Sequence, residues 1–360
     1  MKIIKLNSNN QEQIVSLACQ VLKRGGLVVY PTETCYGLGA DCENQAAVNK
    51  LLSYKKRREG KPLSVLVTDK KMAQRYVNLN ESAQNFYKRF LPGPMTVVSE
   101  SRGLVATGVE SELKTLGIRI SSHDLAMAIV EKFNRGITAT SANASYKKRP
   151  FNIDDLLKPL SDNQKSKLDF IIDGGQLPKR ESSTVVDTSL VTSMVLRKGD
   201  LSLGDKKFAM VSNSEAETIK LAQTLGLKHW KELRNSGLVI GLIGDLGVGK
   251  TVFTKGLGKF LNIEDEIVSP SYILSNEYEW DKNGVRGKFY HLDPWRLESF
   301  DQFLKLGFKQ MLKANNLVAI EWINKYIDEL EIMTKKNKIK LVKVYFEDLG
   351  DSKRKVEIDD

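Results

Sequence analysis

The feature that most constrains this chain is a glycine-rich run of eight residues in its second half. An apolar segment, residues 238–243, precedes the run, and a helix-forming segment, residues 251–261, follows it. The run matches the pattern G-x-x-x-x-G-K-[ST] in the strand–loop–helix context in which that pattern binds phosphate. Its members are Gly244, Asp245, Leu246, Gly247, Val248, Gly249, Lys250 and Thr251. The sequence therefore predicts an α/β domain of the P-loop NTPase type that binds ATP.

Each residue type in the run has a chemical purpose. Glycines let backbone N–H groups turn toward phosphate oxygens, and the N-terminus of the following helix adds its positive dipole end. Lys250 would place a cation near the β- and γ-phosphates, and Thr251 would offer a hydroxyl to Mg²⁺. A second apolar segment ends in Glu321, which would hold the same Mg²⁺ directly or through water.

Residues 213–325 resemble the TsaE family of small ATPases. Besides the P-loop, the resemblance rests on short motifs in a fixed order: SPSY at 269–272, NEY at 276–278, HLDPWRL at 291–297, LGF at 306–308 and IEW at 320–322. It implies that Asp293 is a catalytic or water-orienting acid and that Ser271 lies near the nucleotide, where the family usually has threonine. His291 is expected to be a packed or surface residue, and Trp295 and Trp322 are expected to pack in the core.

Length and composition indicate two domains rather than one. The chain has 360 residues, with ordinary apolar and charged fractions of 41% and 28%. We find no apolar run long enough for a membrane span or a secretory signal, so we expect a cytoplasmic protein without membrane contact. The net charge of +11 is compatible with anionic partners but does not establish RNA binding. Cys19, Cys35 and Cys42 lack metal-ligand spacing and are expected to be small buried residues.

The first half has the pattern of a strand-rich, twisted mixed-sheet α/β domain. An amphipathic helix at 11–23 precedes a buried strand at 27–30, and short apolar segments recur up to residue 197. We expect this domain to span residues 1–203, a linker residues 204–212, and the P-loop domain residues 213–348. The charged residues 349–360 are expected to form a frayed tail.

Two motifs in the first half suggest a ligand site. The string PTETCYGLG at 31–39 follows a buried strand, and the basic run KKRREGKPL occupies 55–63. Alone, the basic run would indicate a solvated face. However, these motifs are followed in order by LPGPMT at 91–96, GIRI at 117–120, TSAN at 140–143, SSTVVD at 182–187 and LRKG at 196–199. Together they resemble the YrdC/TsaC family of threonylcarbamoyl-adenylate synthases over residues 5–203.

That resemblance implies a reaction in which L-threonine, bicarbonate and ATP give threonylcarbamoyl-AMP and pyrophosphate. Lys55 and Arg57 would stabilise the transition state, since negative charge grows on the phosphoryl oxygens. Threonine would be held by Thr34, Arg119 and Ser183, with Arg119 forming a bidentate pair with its carboxylate. The implied ATP contacts are Lys55, Arg57, Lys61, Thr115, Ser141, Asn143 and Arg197.

The combined reading is a fusion of two activities that serve N6-threonylcarbamoyladenosine formation at position 37 of tRNA. The second half would hydrolyse ATP to support TsaB- and TsaD-type partner proteins, through which tRNA would be reached indirectly. Two alternatives stay open at the level of sequence. One is a carbamoyl-adenylating enzyme of another maturation pathway, and the other is an RNA-binding module gated by a P-loop switch.

Overall fold

A computed structural model describes residues 1–56, 62–145, 147–190, 193–201, 208–270 and 272–360. The chain divides into two compact units. The first comprises Met1–Ser189 and Ser193–Gly204, and the second consists chiefly of Asp205–Asp360. Both units are mixed α/β, as the sequence predicts. In the part of the chain that is described, no helix has the length and apolar character needed to cross a membrane.

The first unit contains seven helices and twelve strands within its described residues. The helices are α1 (Gln11–Lys23), α2 (Gln45–Lys55), α3 (Lys70–Tyr76), α4 (Glu81–Phe90), α5 (Asp124–Phe133), α6 (Ile153–Leu157) and α7 (Asp162–Lys165). The strands are β1 (Lys2–Lys5), β2 (Val28–Tyr30), β3 (Gly37–Gly39), β4 (Ser64–Leu66), β5 (Val77–Asn78), β6 (Met95–Ser101), β7 (Thr115–Arg119), β8 (Ile137–Thr138), β9 (Thr140–Ser141), β10 (Phe170–Asp173), β11 (Thr184–Asp187) and β12 (Met194–Arg197).

These strands form two mixed sheets. One has the order β1-β10-β2-β3-β9, and the other has the order β12-β11-β6-β7-β4-β8 with β5 paired to β6. Helix α1 begins and ends where the amphipathic pattern predicts, and it buries Ile14, Ala18 and Leu22 against the core. The three cysteines are buried and free, which confirms their predicted role as small core residues.

The second unit is built on one seven-stranded sheet. Its strands are β13 (Phe208–Ser212), β14 (Leu238–Ile243), β15 (Ser275–Lys282), β16 (Val285–Leu292), β17 (Asn316–Glu321), β18 (Lys340–Gly350) and β19 (Lys353–Asp359). Its helices are α8 (Glu215–Lys228), α9 (Trp230–Asn235), α10 (Lys250–Phe260), α11 (Phe300–Leu304), α12 (Phe308–Met311) and α13 (Ile327–Lys336), with a 3₁₀ turn at Ile323–Lys325. The strand order is β13-β19-β18-β14-β17-β16-β15, and the four central strands from β18 to β16 are parallel.

The register of the parallel strands sets the position of the P-loop. Leu242 on β14 pairs with Glu321 on β17, and Leu292 on β16 pairs with Ile320. The loop that follows β14 therefore starts beside Glu321. Asp293 directly follows β16, the neighbour of β17, so it lies at the same edge of the sheet. The carboxyl edge of such a sheet is where α/β proteins place their ligands.

Two boundary predictions are corrected at the ends of this unit. Part of the expected linker, Phe208–Ser212, is strand β13, which pairs antiparallel with β19, while residues 202–207 lie outside the described residues. The expected frayed tail contains β19, which lies between β13 and β18. The tail looked polar because its charges alternate with apolar residues: Arg354, Val356 and Ile358 are buried, whereas the residues between them are partly exposed.

Candidate active sites

In the first unit, the turn between β2 and β3 fixes the PTET segment. The Thr32 hydroxyl accepts hydrogen bonds from the backbone N–H groups of Thr34 and Cys35, each at 3.2 Å, and donates to the Cys35 carbonyl oxygen at 2.6 Å. The Thr32 and Thr34 hydroxyls are also 3.2 Å apart, and both residues are buried. One threonine side chain thus satisfies the backbone of the turn, which holds Glu33 and Thr34 in a fixed conformation.

Lys55, the last residue of α2, reaches the segment that carries the Ser-x-Asn motif. Its Nζ donates to the backbone oxygens of Ser141 and Asn143, at 2.7 and 2.6 Å, and the Lys55 side chain is buried. The Ser141 hydroxyl donates to the Asn143 side-chain oxygen at 2.5 Å. The structure therefore brings together three residues predicted to contact ATP. Arg57 and Lys61, predicted for the same site, lie outside the described residues.

Arg119 ends β7 beside the PTET turn. Its Nη2 donates to Glu33 Oε1, and the Ser121 hydroxyl donates to Glu33 Oε2. Burial opposes ionisation of Glu33, but the charge of Arg119 and the hydrogen bond from Ser121 outweigh it, so the pKa of Glu33 lies below its ordinary value. The guanidinium predicted to bind the threonine carboxylate is thus already paired with an acid that sequence reasoning did not single out.

Ser183 and Arg197 meet at the start of β11 and the end of β12. Arg197 Nη2 donates to the Ser183 hydroxyl at 2.9 Å and to its carbonyl oxygen at 2.7 Å, and the Thr96 and Ser183 hydroxyls are 3.1 Å apart. Burial, together with the positive charges of Arg119 and Arg149, lowers the pKa of Arg197 to about 10. These three guanidinium groups therefore create a positive field that suits an anionic ligand.

Arg149 is a member of this cluster that sequence reasoning missed. Its Nη1 and Nη2 donate to the Arg180 carbonyl oxygen and to Glu181 Oε2, each at 3.1 Å. Burial raises the pKa of the Cys35 thiol, and the charges of Arg119, Arg149 and Lys55 oppose that rise, so all three cations lie near Cys35. In the sequence, the basic run that contains Arg149 has the pattern of a solvated surface. Only the folded structure shows that Arg149 is less exposed than the lysines that precede it.

Among the predicted ATP contacts that the structure describes, Thr115 is the one that is not part of these groups. It starts β7, about 13 Å along the strand from Arg119 at the usual rise per residue. The Thr115 hydroxyl is buried and lies 2.7 Å from the Ser111 hydroxyl.

In the second unit, the P-loop joins β14 to α10 as predicted. Gly249 has a φ of +101°, and a Cβ atom added there would lie 2.2 Å from Nη1 of Arg354. The left-handed backbone conformation therefore favours glycine at this position, and a larger residue would also have to displace the Arg354 guanidinium. Arg354, on β19, is buried against the N-terminus of α10, a placement that sequence reasoning missed because the residue belonged to the expected tail.

Lys250 is held by the loop that it belongs to. Its Nζ donates to the carbonyl oxygens of Gly244 and Asp245, at 2.8 and 2.7 Å, and lies 3.8 Å from the centre of the Trp322 ring. Burial lowers the pKa of Lys250, and the nearby carboxylates of Glu321, Asp293 and Asp245 oppose that effect. Trp322 is thus a neighbour of the P-loop lysine and more than a packing residue.

The carboxylate of Glu321 joins the P-loop to a buried histidine. Thr251 Oγ1 donates to Glu321 Oε1 at 3.1 Å, and His291 Nε2 lies 2.9 Å from the same oxygen. His291 is fully buried, and its Nδ1 lies 3.1 Å from the Val268 carbonyl oxygen. The prediction that His291 is a packed or surface residue missed this contact with Glu321.

Asp293 is buried beside this group, and the Ser269 hydroxyl lies 3.5 Å from its Oδ2. Ser271 lies outside the described residues. Trp295 is 47% exposed, so its predicted place in the core is wrong. It follows Pro294 in the loop after β16, where its ring lies under the Arg296 guanidinium instead of against the sheet.

The donors at this site fit a Mg²⁺ ion bound together with nucleotide. Thr251 and Glu321 offer a hydroxyl and a carboxylate oxygen that already lie within hydrogen-bonding distance of each other. Across the described ranges, no three His, Cys, Asp or Glu side chains group closely enough to hold a metal by themselves. Mg²⁺ commonly takes only one or two protein ligands and completes its shell with phosphate oxygens and water.

Comparison with known proteins identifies the class of each unit. The family model Sua5/YciO/YrdC, described as telomere recombination, matches residues 20–199. A second family model, the threonylcarbamoyl adenosine biosynthesis protein TsaE, matches residues 212–356. The chain therefore belongs to the Sua5/YciO/YrdC family over its first half and carries a TsaE domain in its second half, which confirms the predicted fusion.

Individual relatives match the first half. The chain is 31% identical over 202 residues to the threonylcarbamoyl-AMP synthase of Pyrococcus abyssi, covering 56% of this chain and 58% of that protein. It is 32% identical over 196 residues to the threonylcarbamoyl-AMP synthase of Bacillus subtilis, covering 54% of this chain and 55% of that protein. The match thus spans little more than half the length of these relatives. A crystal structure of P. abyssi Sua5 complexed with L-threonine aligns with a TM-score of 0.54 at 20% identity, covering 96% of this chain and all of that one, a likeness of fold.

Proposed function

We propose that the first unit synthesises threonylcarbamoyl-AMP and pyrophosphate from L-threonine, bicarbonate and ATP. The observation that carries the proposal is the buried contact of Lys55 with the Ser141–Asn143 segment, beside a cluster of guanidinium groups. Two relatives of this half are named threonylcarbamoyl-AMP synthase, which supports the same reaction.

In this proposal, one set of residues in the unit binds threonine and another set binds ATP. Thr34, Arg119 and Ser183 hold threonine, while Lys55, Ser141, Asn143 and Arg197 contact ATP together with Arg57, Lys61 and Thr115. The carbamate oxygen of carboxylated threonine attacks the α-phosphorus, and pyrophosphate leaves. Cations that surround the phosphoryl oxygens stabilise the charge that grows there, and holding the two reactants together supplies much of the remaining rate.

We further propose that the second unit hydrolyses ATP to support a TsaB/TsaD-type complex that transfers the threonylcarbamoyl group to tRNA. Mg²⁺, when bound, would neutralise charge on the β- and γ-phosphates, and Thr251 and Glu321 would hold it. The P-loop backbone from Gly244 to Gly249 would cradle the phosphates with Lys250. Asp293 would orient the attacking water, and Ser271 would lie near the nucleotide.

A product assay tests the first activity against its alternatives. Protein incubated with ATP, L-threonine and bicarbonate should give a mass-spectrometric product of AMP joined to carboxylated threonine, together with pyrophosphate. A carbamoyl-adenylating enzyme of another pathway would form no adenylate that contains threonine. An RNA-binding module would make no adenylate at all. Either of these results would refute the proposal.

A second assay tests the ATPase proposal. ADP release should be measured with and without TsaB- and TsaD-type proteins, because hydrolysis by the isolated chain can be slow. We expect release that requires Mg²⁺ and increases when the partner proteins are present. Failure to form ADP under both conditions would contradict the proposed role of the second unit.

A further inference from the structure

Glu33 is a buried acid that is paired with Arg119, the residue proposed to bind the threonine carboxylate. Its side chain is 7% exposed, and its two oxygens accept hydrogen bonds from Arg119 and Ser121. The Arg119 side chain is 12% exposed, and its Nε is buried without a hydrogen-bond partner among the described residues. Nδ1 of His123, on the segment that follows Ser121, is also buried without such a partner.

Buried polar atoms without a partner are costly, and Arg119 and His123 are polar groups whose hydrogen bonding within the described residues is incomplete. Glu33 uses only part of the N–H groups of Arg119, so the guanidinium can still donate hydrogen bonds to a second carboxylate. However, the Glu33 carboxylate cancels much of its charge. A simple anion bound to Arg119 would therefore also face the negative charge of Glu33, which disfavours it.

A zwitterion does not meet this penalty. The ammonium and carboxylate of an α-amino acid are attached to the same carbon atom, so a carboxylate held by Arg119 leaves the ammonium within reach of the groups that flank the guanidinium. Glu33 is the carboxylate bonded to that guanidinium, and both of its oxygens retain lone pairs. The pair can thus match both charges of the amino acid.

We propose that Glu33 is a specificity-determining residue, which selects the amino-acid form of the substrate over the corresponding hydroxy acid. This inference rests on the proposed use of L-threonine by the first unit. It assigns Glu33 a role beyond holding Arg119 in place, because a residue that only positions Arg119 would affect both carboxylate ligands alike.

Calorimetric titration of the full chain with two ligands tests the inference. The first is L-threonine, and the second is the analogue in which a hydroxyl replaces the amino group. We expect wild-type protein to prefer L-threonine by about tenfold or more, the size of one charge-assisted hydrogen bond. In Glu33→Gln, the affinity for L-threonine should fall by a similar factor while the affinity for the analogue is kept or rises, so the preference should collapse.

Asp41→Asn provides a matched control, because Asp41 is another buried acid of this unit that is paired with an arginine, at 2.9 Å from Arg135 Nη1. That variant should keep the preference of wild type. Equal weakening of both ligands in Glu33→Gln, or an unchanged preference, would overturn the inference.

The wild-type protein alone also decides the matter if Glu33→Gln does not fold. A wild-type chain that forms the adenylate but binds both ligands equally well refutes the inference and leaves the proposed function standing. A wild-type chain that binds neither ligand and forms no adenylate refutes the proposed function, and the inference with it.

Discussion

Replacing Lys55 by methionine should separate the catalytic use of this residue from its structural use. The substitution keeps an unbranched apolar stem of similar size and removes the ammonium group that donates to the Ser141 and Asn143 carbonyl oxygens. Removal of one group that stabilises developing phosphoryl charge costs about 10²–10³ in rate. We therefore expect threonine-dependent pyrophosphate release to fall by about that factor.

The same substitution has a smaller effect on stability that can be estimated separately. Buried carbonyl groups that lose a hydrogen-bond donor cost about 1–3 kcal/mol, and removal of a buried ammonium offsets part of that cost. For a domain of this size, each kcal/mol shifts the Tm by about 2–4 °C. We thus expect a fall in Tm of several degrees at most, which leaves the protein folded at the assay temperature.

Lys50→Met serves as the control because Lys50 lies on the same helix. Its partner is Asp169 at 2.5 Å, and both side chains are about one-third exposed, so this pair contributes about 0–1 kcal/mol. The assay measures pyrophosphate release at saturating ATP and threonine, with thermal unfolding of each variant followed in parallel. Turnover of Lys55→Met within about fivefold of wild type, far less than the expected loss, would refute the assigned role.

Three further predictions concern the independence and the stability of the units. Residues 1–203 expressed alone should be soluble and form threonylcarbamoyl-AMP, which a product assay checks; an aggregated or inactive fragment would contradict this boundary. Lys250→Ala should abolish ADP release and leave adenylate formation intact. The control is Lys259→Ala, an exposed position on the same helix, which should change neither activity. Loss of adenylate formation from folded Lys250→Ala would show that the sites are coupled. Burial opposes ionisation of Asp360, but its hydrogen bonds and ion pairs outweigh that effect and lower its pKa, so Asp360→Asn should destabilise the chain at neutral pH. Its difference from wild type should begin to shrink as the pH falls below the ordinary aspartate range and should vanish only below the lowered pKa of the folded state. A difference in unfolding free energy that does not depend on pH would contradict this.

The sequence predicts those parts of the candidate sites whose residues are close together in the chain or belong to motifs in a fixed order. The P-loop is one such part, because a strand, a glycine-rich turn and a helix follow one another within the chain and define their own geometry. Lys55 and the Ser-x-Asn motif are another, since their contact follows from a resemblance whose motifs occur in a fixed order. Glu33 and Arg149 could not be found in this way. Their importance depends on partners that the fold brings from distant positions, and single charged residues in a sequence are usually solvated.

The C-terminal strand β19 escaped prediction for a different physical reason. Alternating charge and apolar residues over 353–359 fit a strand with one buried face, but the many charges favoured interpretation as a tail. Because β19 pairs with both β13 and β18, it carries Arg354 into the space beside Gly249 that any Cβ atom would occupy. The strands that close the sheet therefore help to shape the phosphate loop, about a hundred residues earlier in the chain. A cation buried against the N-terminus of a helix adds to the positive end of the helix dipole. The position of Arg354 thus makes the surroundings of this loop more favourable for an anion, which agrees with the nucleotide phosphate proposed as its ligand.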